Sequence, residues 1–276
     1  MRRRQSWIIT LTMLIMSAPL TASWAEQADD DDAPLPPPPL ASLEEALPGV
    51  TVDLETRQLE LEAVVVLRDG DWLELLVCSP QTREHESILT VEARPSHIHL
   101  ALLLLGYQPG SPMQWEQTDD GYLTRPPQGE LLSIYIAYED DDGEEVEVPA
   151  TDWIRHEPTG ETMAGNVWLF AGSVFERIHE QNLYVADLNG TIVSLVNFGD
   201  DLIARPTQVT DQTDEQRWNT YTERIPETGT SVKLRIRPYD GDADDVADLV
   251  DAEQELLHET PPPPGTPHDA PPEVDE

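Results

Sequence analysis

Between residues 58 and 65 apolar and polar positions alternate. Leu59, Leu61, Ala63 and Val65 fall on one side of an extended chain, and Gln58, Glu60 and Glu62 on the other, with Val64 the exception. Successive side chains of a strand point to opposite faces, so this is the pattern of a strand with one buried face. The pattern resumes in Trp72, Glu74 and residues 75–78 after Arg68-Asp69-Gly70-Asp71. Asp-Gly accepts the positive φ of a tight turn, so the two runs are expected to pair as a hairpin. Further strand-like runs lie at 87–92, 131–138, 145–148, 167–171, 183–186, 190–198 and 231–237. Asp142-Gly143 and Asn189-Gly190 predict two more hairpin turns. Asn189-Gly190-Thr191 also matches a glycosylation acceptor, but the turn explains it more simply.

One helix interrupts this pattern. Pro95 suits a first-turn position, Ser96 is a capping residue type, Ile98 and residues 100–105 are nearly all apolar, and Gly106, Pro109 and Gly110 form the stop. A helix this apolar is expected to be buried on most sides. The fold class expected is α+β: a mainly antiparallel sheet with one buried helix at about 95–105 packed across it.

The two ends differ from the middle. Arg2, Arg3 and Arg4 precede an apolar run at residues 7–16, and Ser23-Trp24-Ala25 places small residues at −3 and −1 of a cleavage site, so residues 1–25 read as a removable signal peptide. Thr10, Thr12 and Pro19 break the run short of the roughly 20 residues that span a bilayer. The chain is therefore expected to be periplasmic or secreted and not membrane-spanning after cleavage. Residues 26–48 hold four consecutive Asp at 29–32, then Pro34 and Pro36 to Pro39, with no Lys or Arg, a composition that predicts an extended disordered linker. Residues 240–276 carry 13 acids, no Lys or Arg and four consecutive Pro at 261–264. Within them residues 244–258 read as a helix, with Val246, Leu249, Val250, Glu253, Leu256 and Leu257 at partial 3-4 spacing. Residues 49–239 remain as the folded domain, and deleting the tails is expected to leave it folded.

Charge then narrows the partners. The formal net charge is −38, and loss of residues 1–25, with three Arg and no acid, makes it −41. Such a chain repels phosphate and cannot gain the counterion release that dominates nucleic-acid binding. A cation or an envelope component remains as the expected partner. The single cysteine, Cys78, excludes an intrachain disulfide and a conventional four-cysteine iron–sulfur cluster, and Glu26 stands where a lipoprotein needs a cysteine.

Several segments together resemble one family. They are Leu75-Leu76-Val77-Cys78, Arg83-Glu84-His85-Glu86-Ser87-Ile88-Leu89, Pro95-Ser96-His97-Ile98-His99-Leu100-Ala101-Leu102-Leu103, Gly106-Tyr107-Gln108-Pro109-Gly110, Val167-Trp168-Leu169-Phe170-Ala171-Gly172-Ser173 and Val196-Asn197-Phe198. In these the chain resembles the YdjY-domain family of exported bacterial envelope proteins. The resemblance implies no established activity. Labels given to some members, ferredoxin-like or lipoprotein, do not suit a chain whose one Cys is at position 78.

Candidate chemistry centres on Cys78, Glu84, His85, Glu86 and Ser87. A thiolate beside an imidazole oriented by a carboxylate is a nucleophile with its base. The plainer expectation is a buried structural Cys78 with His85 tying a loop and titrating above its usual value where Glu84 or Glu86 reaches the ring. Cys78, His85, His97 and His99 are ordinary zinc or copper ligands, so a metal ion is the one cofactor to consider. Residues two apart point to nearly opposite faces of a helix, so His97 and His99 share an ion only if that pair is extended. Asp240, Asp242, Asp244 and Asp251 mimic a calcium loop, but Asp245 stands where the loop needs Gly. Most of the tryptophans are expected in the core, and Trp115 and Trp218, which lie in polar surroundings, are the two candidates for the exposure a sugar-binding surface would require. The expected function is a non-catalytic binding or scaffold module of the cell envelope, and the alternative is a thiol- or metal-dependent enzyme centred on Cys78 and His85.

Overall fold

The computed structural model describes residues 47–118, 121–140, 142–210 and 218–258. The expected signal peptide at 1–25, the expected linker up to residue 46 and the chain beyond 258 lie outside the described residues. Among those described, ten strands share one sheet, and eight of them close on themselves. The ring runs β2 (Gln58–Val65), β18 (Ser231–Pro238), β9 (Leu131–Glu139), β12 (Trp168–Leu169), β16 (Ile203–Ala204), β15 (Thr191–Ser194), β3 (Leu75–Cys78), β4 (Ser87–Val91) and back to β2. β3 with β4 and β15 with β16 are parallel, and the remaining pairs are antiparallel. One edge of β2 is shared lengthwise: residues 58–61 pair with β1 (Val50–Asp53), and residues 63–65 pair with β4. β9 is shared in the same way between β12 and β10 (Glu145–Pro149). The chain is thus β-rich with few helices, but its sheet is a closed barrel, not an open sheet crossed by a helix.

The alternating strands turn their apolar sides into the core: Leu59, Leu61, Ala63 and Val65 from β2, Val232, Leu234 and Ile236 from β18, and Leu132, Ile134 and Ile136 from β9. Their outer sides form a charged ladder in which Arg235 bonds Glu60 at 2.8 Å and Glu147 at 2.9 Å. β3, β4 and β15 are buried at every residue: β3 is apolar throughout, and β4 and β15 bury Ser87, Thr90, Thr191 and Ser194 beside their apolar residues. Closure pairs the eight ring strands with one another and leaves β1 and β10 as the outer strands of the sheet.

Two local expectations are corrected. β2 and β3 are not neighbours. Between them the chain turns to β17 (Trp218–Thr220), where Gly70 N donates to Thr220 Oγ1 at 2.9 Å and Leu73 N to the Trp218 carbonyl at 2.7 Å. Asn189-Gly190 ends a short helix, α2 (Val185–Asn189), instead of turning a hairpin, because the left-handed φ of 75° at Gly190 serves a helix stop equally well. The Asp140 turn does join paired strands: its carboxylate accepts from Asp142 N and Glu144 N at 3.0 Å each, between β9 and β10.

Helix α1 spans Pro95–Leu104. It ends in a Schellman motif, with Gly106 N donating to Leu103 O at 2.9 Å and Tyr107 N to Leu102 O at 3.0 Å around a φ of 83° at Gly106. Pro95, Ile98, Ala101 and Leu102 are buried, but Leu100, Leu103 and Leu104 are not, which corrects the expectation of a helix covered on most sides. Helix α3 (Asp244–His258) follows β18, its start held by Asp242, whose carboxylate accepts from Asp244 N at 3.0 Å. Trp153, Trp168 and Trp218 are buried, Trp218 against expectation, whereas Trp72 and Trp115 are exposed. Among the described residues no helix is long and apolar enough to cross a membrane.

Candidate functional site

The exposed side of α1 forms one wall of a groove of about 300 Å³ lined by Ser96, His99, Leu100, Leu103, Phe175 and Tyr184. The opposite wall is the hairpin of β13 (Phe175–Ile178) and β14 (Gln181–Tyr184), which turns through His179 and Glu180. Both turn residues have positive φ, the primed geometry that suits the strand twist. Phe175 is 70 % exposed, and Leu100 and Leu103 are 46 % and 42 % exposed. Large apolar side chains are normally scattered singly over a surface, so their convergence on one concavity sets this groove apart from the rest of the described surface.

Polar contacts fix the groove's floor. Tyr184 is buried, and its hydroxyl donates to the Gly172 carbonyl at 3.0 Å. That uses the single phenolic proton, so at 2.8 Å the Nδ1 of His99 is the donor to the phenol oxygen and Nε2 carries the lone pair. Burial holds His99 below the usual histidine range and pushes Tyr184 well above the usual tyrosine value. The pair is therefore neutral at pH 7. The His99 ring is also edge-on to Phe170 and Tyr184, at centroid distances of 5.0 and 5.6 Å.

The groove is anchored from outside α1. No side chain of its own caps the helix. Asp187 of α2 does so instead, its carboxylate accepting from Ser96 N at 2.8 Å and from Ser96 Oγ at 2.7 Å, with Arg94 Nη2 3.6 Å away. A carboxylate at a helix N-terminus satisfies unpaired N–H groups and opposes the positive end of the dipole.

Of the residues singled out from sequence, the structure brings Ser87 to the Cys78 thiol, with Glu84 near enough to act on its charge, and leaves His85 exposed. Cys78 is fully buried between Thr90 and Thr191 on the adjoining strands, and burial pushes its thiol up. His85 sits in a 3-10 turn (Glu84–Glu86) with its side chain 77 % exposed, its Nε2 3.5 Å from Glu86. Glu84 accepts from Gln81 N at 2.8 Å, and Ser87 Oγ donates to Leu89 O at 3.0 Å. Arg83 ties Glu86 at 3.3 Å and Glu74 at 3.6 Å and lies over the Phe198 ring at 4.1 Å. These contacts make a loop-closing knot with an outward imidazole. His97 and His99 are both inside α1 and so point to different faces. Among the described residues no group of three or more His, Cys, Asp or Glu is arranged to hold a metal ion. Sequence reasoning missed Phe175, Tyr184 and Asp187, which lie on later elements that only the fold brings to α1.

The fold defines the class: a closed, mainly antiparallel eight-stranded barrel carrying a helix-walled apolar groove. The chain belongs to the YdjY-domain family, whose pattern matches residues 50–237. That span runs from β1 into β18, so it takes in the whole barrel and stops short of α3. No curated protein and no solved structure matches the chain.

Proposed function

We propose that this chain is an exported bacterial protein whose barrel is a non-catalytic binding module of the cell envelope, and that its partner docks in the groove between α1 and the β13–β14 hairpin. The observation that carries this is the exposed apolar face formed by Leu100, Leu103 and Phe175 over an uncharged His99–Tyr184 floor. No charged side chain lines the groove of a chain with 54 acids. Repulsion keeps such a chain apart from most surfaces, and a neutral apolar concavity is where contact is favourable. Fully burying a Leu or Phe side chain contributes about 1.5–3 kcal/mol, so the contact must cover all three half-exposed side chains together to offset the cost of association, about 4 kcal/mol or more. The buried, protonated Cys78 and the outward His85 support a binding reading over a thiol enzyme.

Export is tested by sequencing the N-terminus of the chain recovered from the cell envelope or medium, which should begin at Glu26. Binding is tested in the producing cell by placing a photo-crosslinking residue at Phe175 and, as a control, at the exposed Leu54. A discrete adduct at 175 that is absent at 54 and lost with Leu103→Asp is expected. No adduct at 175, or the same adducts at both positions, would refute the docking face.

A further inference from the structure

The guanidinium of Arg205 is wholly buried at the end of β16. Its Nη1 donates to the carbonyls of Gly165 at 2.9 Å and Val167 at 2.8 Å, and its Nη2 to that of Ala164 at 3.1 Å. The Trp168 ring lies beside it, 5.3 Å from centroid to Cζ. Three carbonyls and an indole face stabilise a cation but do not neutralise it, and an unpaired buried charge costs several kcal/mol. The counter-charge is Glu253, whose Oε2 accepts from Nη2. Glu253 belongs to α3, outside the span that matches the family. The barrel thus builds a socket shaped for a carboxylate and takes that carboxylate from an appended segment.

The helix that supplies it is a weak one. Of its described side chains Glu253 is the buried one. The sequence carries six acids and no Lys or Arg over 15 residues, with Asp244 four residues before Asp248 and Asp251 four before Glu255. Like charges at that spacing repel across one turn, and an isolated helix of this length is marginal in water. Docking holds it: Leu249 packs so closely on Gly165 that a Cβ there would collide, and Leu256 rests against the core. Glu253 Oε1 and Arg205 Nε, both buried, have no hydrogen-bond partner among the described residues, so the cis contact leaves donor and acceptor capacity of the pair unused.

We propose that the Arg205 socket is a recognition site for a carboxylate-bearing helix, that α3 is its built-in occupant, and that a partner engages the barrel by displacing α3. The partner chemistry follows from the occupant: an acidic amphipathic helix with an apolar residue four before a Glu and another three after it, as Leu249, Glu253 and Leu256 are spaced. When α3 leaves, water reaches Arg205, so the open form is a hydrated cationic socket and not a buried unpaired charge. This site is separate from the α1 groove and stands or falls independently of it.

A fluorescent synthetic peptide of residues 242–258 is titrated against the full chain and against full-chain Glu253→Gln, which keeps the shape of the cis occupant and removes its charge. The peptide is expected to bind the variant at least tenfold more tightly than the unaltered chain, and a peptide with Gln at the equivalent of 253 is expected to lose that binding. Equal affinity for both chains, or equal binding by the Gln peptide, would overturn the proposal. Should the variant lose its near-ultraviolet signal and prove unfolded, amide exchange on the unaltered chain decides: α3 amides exchanging at least a hundredfold faster than those of β9 and β18 support a detachable occupant, and equal protection refutes it.

Discussion

Replacing Asp187 by Ala removes the one carboxylate that holds the start of α1, and the cost follows from its contacts. Two hydrogen bonds disappear, from Ser96 N and Ser96 Oγ, both to an ionised acceptor at under 3 Å. Loss of a helix cap costs about 1 kcal/mol, within a range of about 0.5–2. The hydroxyl bond adds about 1 kcal/mol, reduced from the usual value for charged partners because half-buried Ser96 can turn to water. The ion pair with Arg94 contributes little, since the Arg94 side chain is mostly exposed and its charge is screened. The sum is about 2 kcal/mol, which for a domain of this size lowers Tm by roughly 4–8 °C. Urea unfolding should show the same loss as a shift in midpoint with the slope unchanged. The sharper test is the cycle with Ser96→Ala. In the natural background that change should cost about 1 kcal/mol, and in the Asp187→Ala background almost nothing, because its partner is gone. A Tm shift under about 1 °C, or full additivity of the two changes, would show that Asp187 does not anchor the groove.

Two further outcomes follow from buried groups. Asp201 is fully buried, accepts from Gly199 N at 3.1 Å, and has its pKa raised to about 6, first by burial and then by the neighbouring Asp200 charge. The folded chain therefore keeps a proton that the unfolded chain releases, so the stability Asp201 contributes is fully present below about pH 4 and is lost as pH rises through about 6. The stability of Asp201→Asn measured against the natural chain should gain between pH 4 and 7, by up to about 3 kcal/mol, and a pH-independent difference would refute this assignment. Cys78 should resist a bulky thiol reagent until the chain unfolds, and Cys78→Ala should cost about 1 kcal/mol or more; labelling as fast as in a free peptide would contradict its burial.

How far the fold was legible depended on where each element finds its partner. β2 and β18 were legible because each presents one face to the core and one to solvent, which writes the burial into the sequence with period two, whereas β9 also buries Ser133 and Ala137 on its other face. β3 and β4 are buried on both faces and carry no such phase, so their neighbours stayed hidden. The Asp69-Gly70 turn was sound local chemistry, yet its strand turns to residues 218–220, about 150 positions away, and closure of a barrel over that separation has no local signature. α1 was placed to within a residue by Pro95 and Gly106, because caps are local. Its environment was not, because an all-apolar helix reads as covered, and three of its leucines instead face outward.

The candidate residues part for a related reason. Cys78 and His85 are close in sequence, and that closeness is why the two are weighed together. A strand that buries Cys78 and a 3-10 turn that swings His85 outward separate them within seven residues. The informative signal was of another kind. Glu253 lies on the apolar stripe of α3, between Leu249 and Leu256, where a carboxylate has no reason to be unless a cation waits in the core. Arg205 ends the apolar run Leu202-Ile203-Ala204, where a guanidinium is equally out of place. Each alone reads as an imperfection of its pattern. A buried charge of either sign is strongly unfavourable by itself and tolerable only when paired, so two charges of opposite sign at apolar positions of different elements predict a contact between those elements. In this chain the rule is met by Arg205 and Glu253, and their contact is what joins α3 to the barrel; with α3 released, the Arg205 charge is left to solvent.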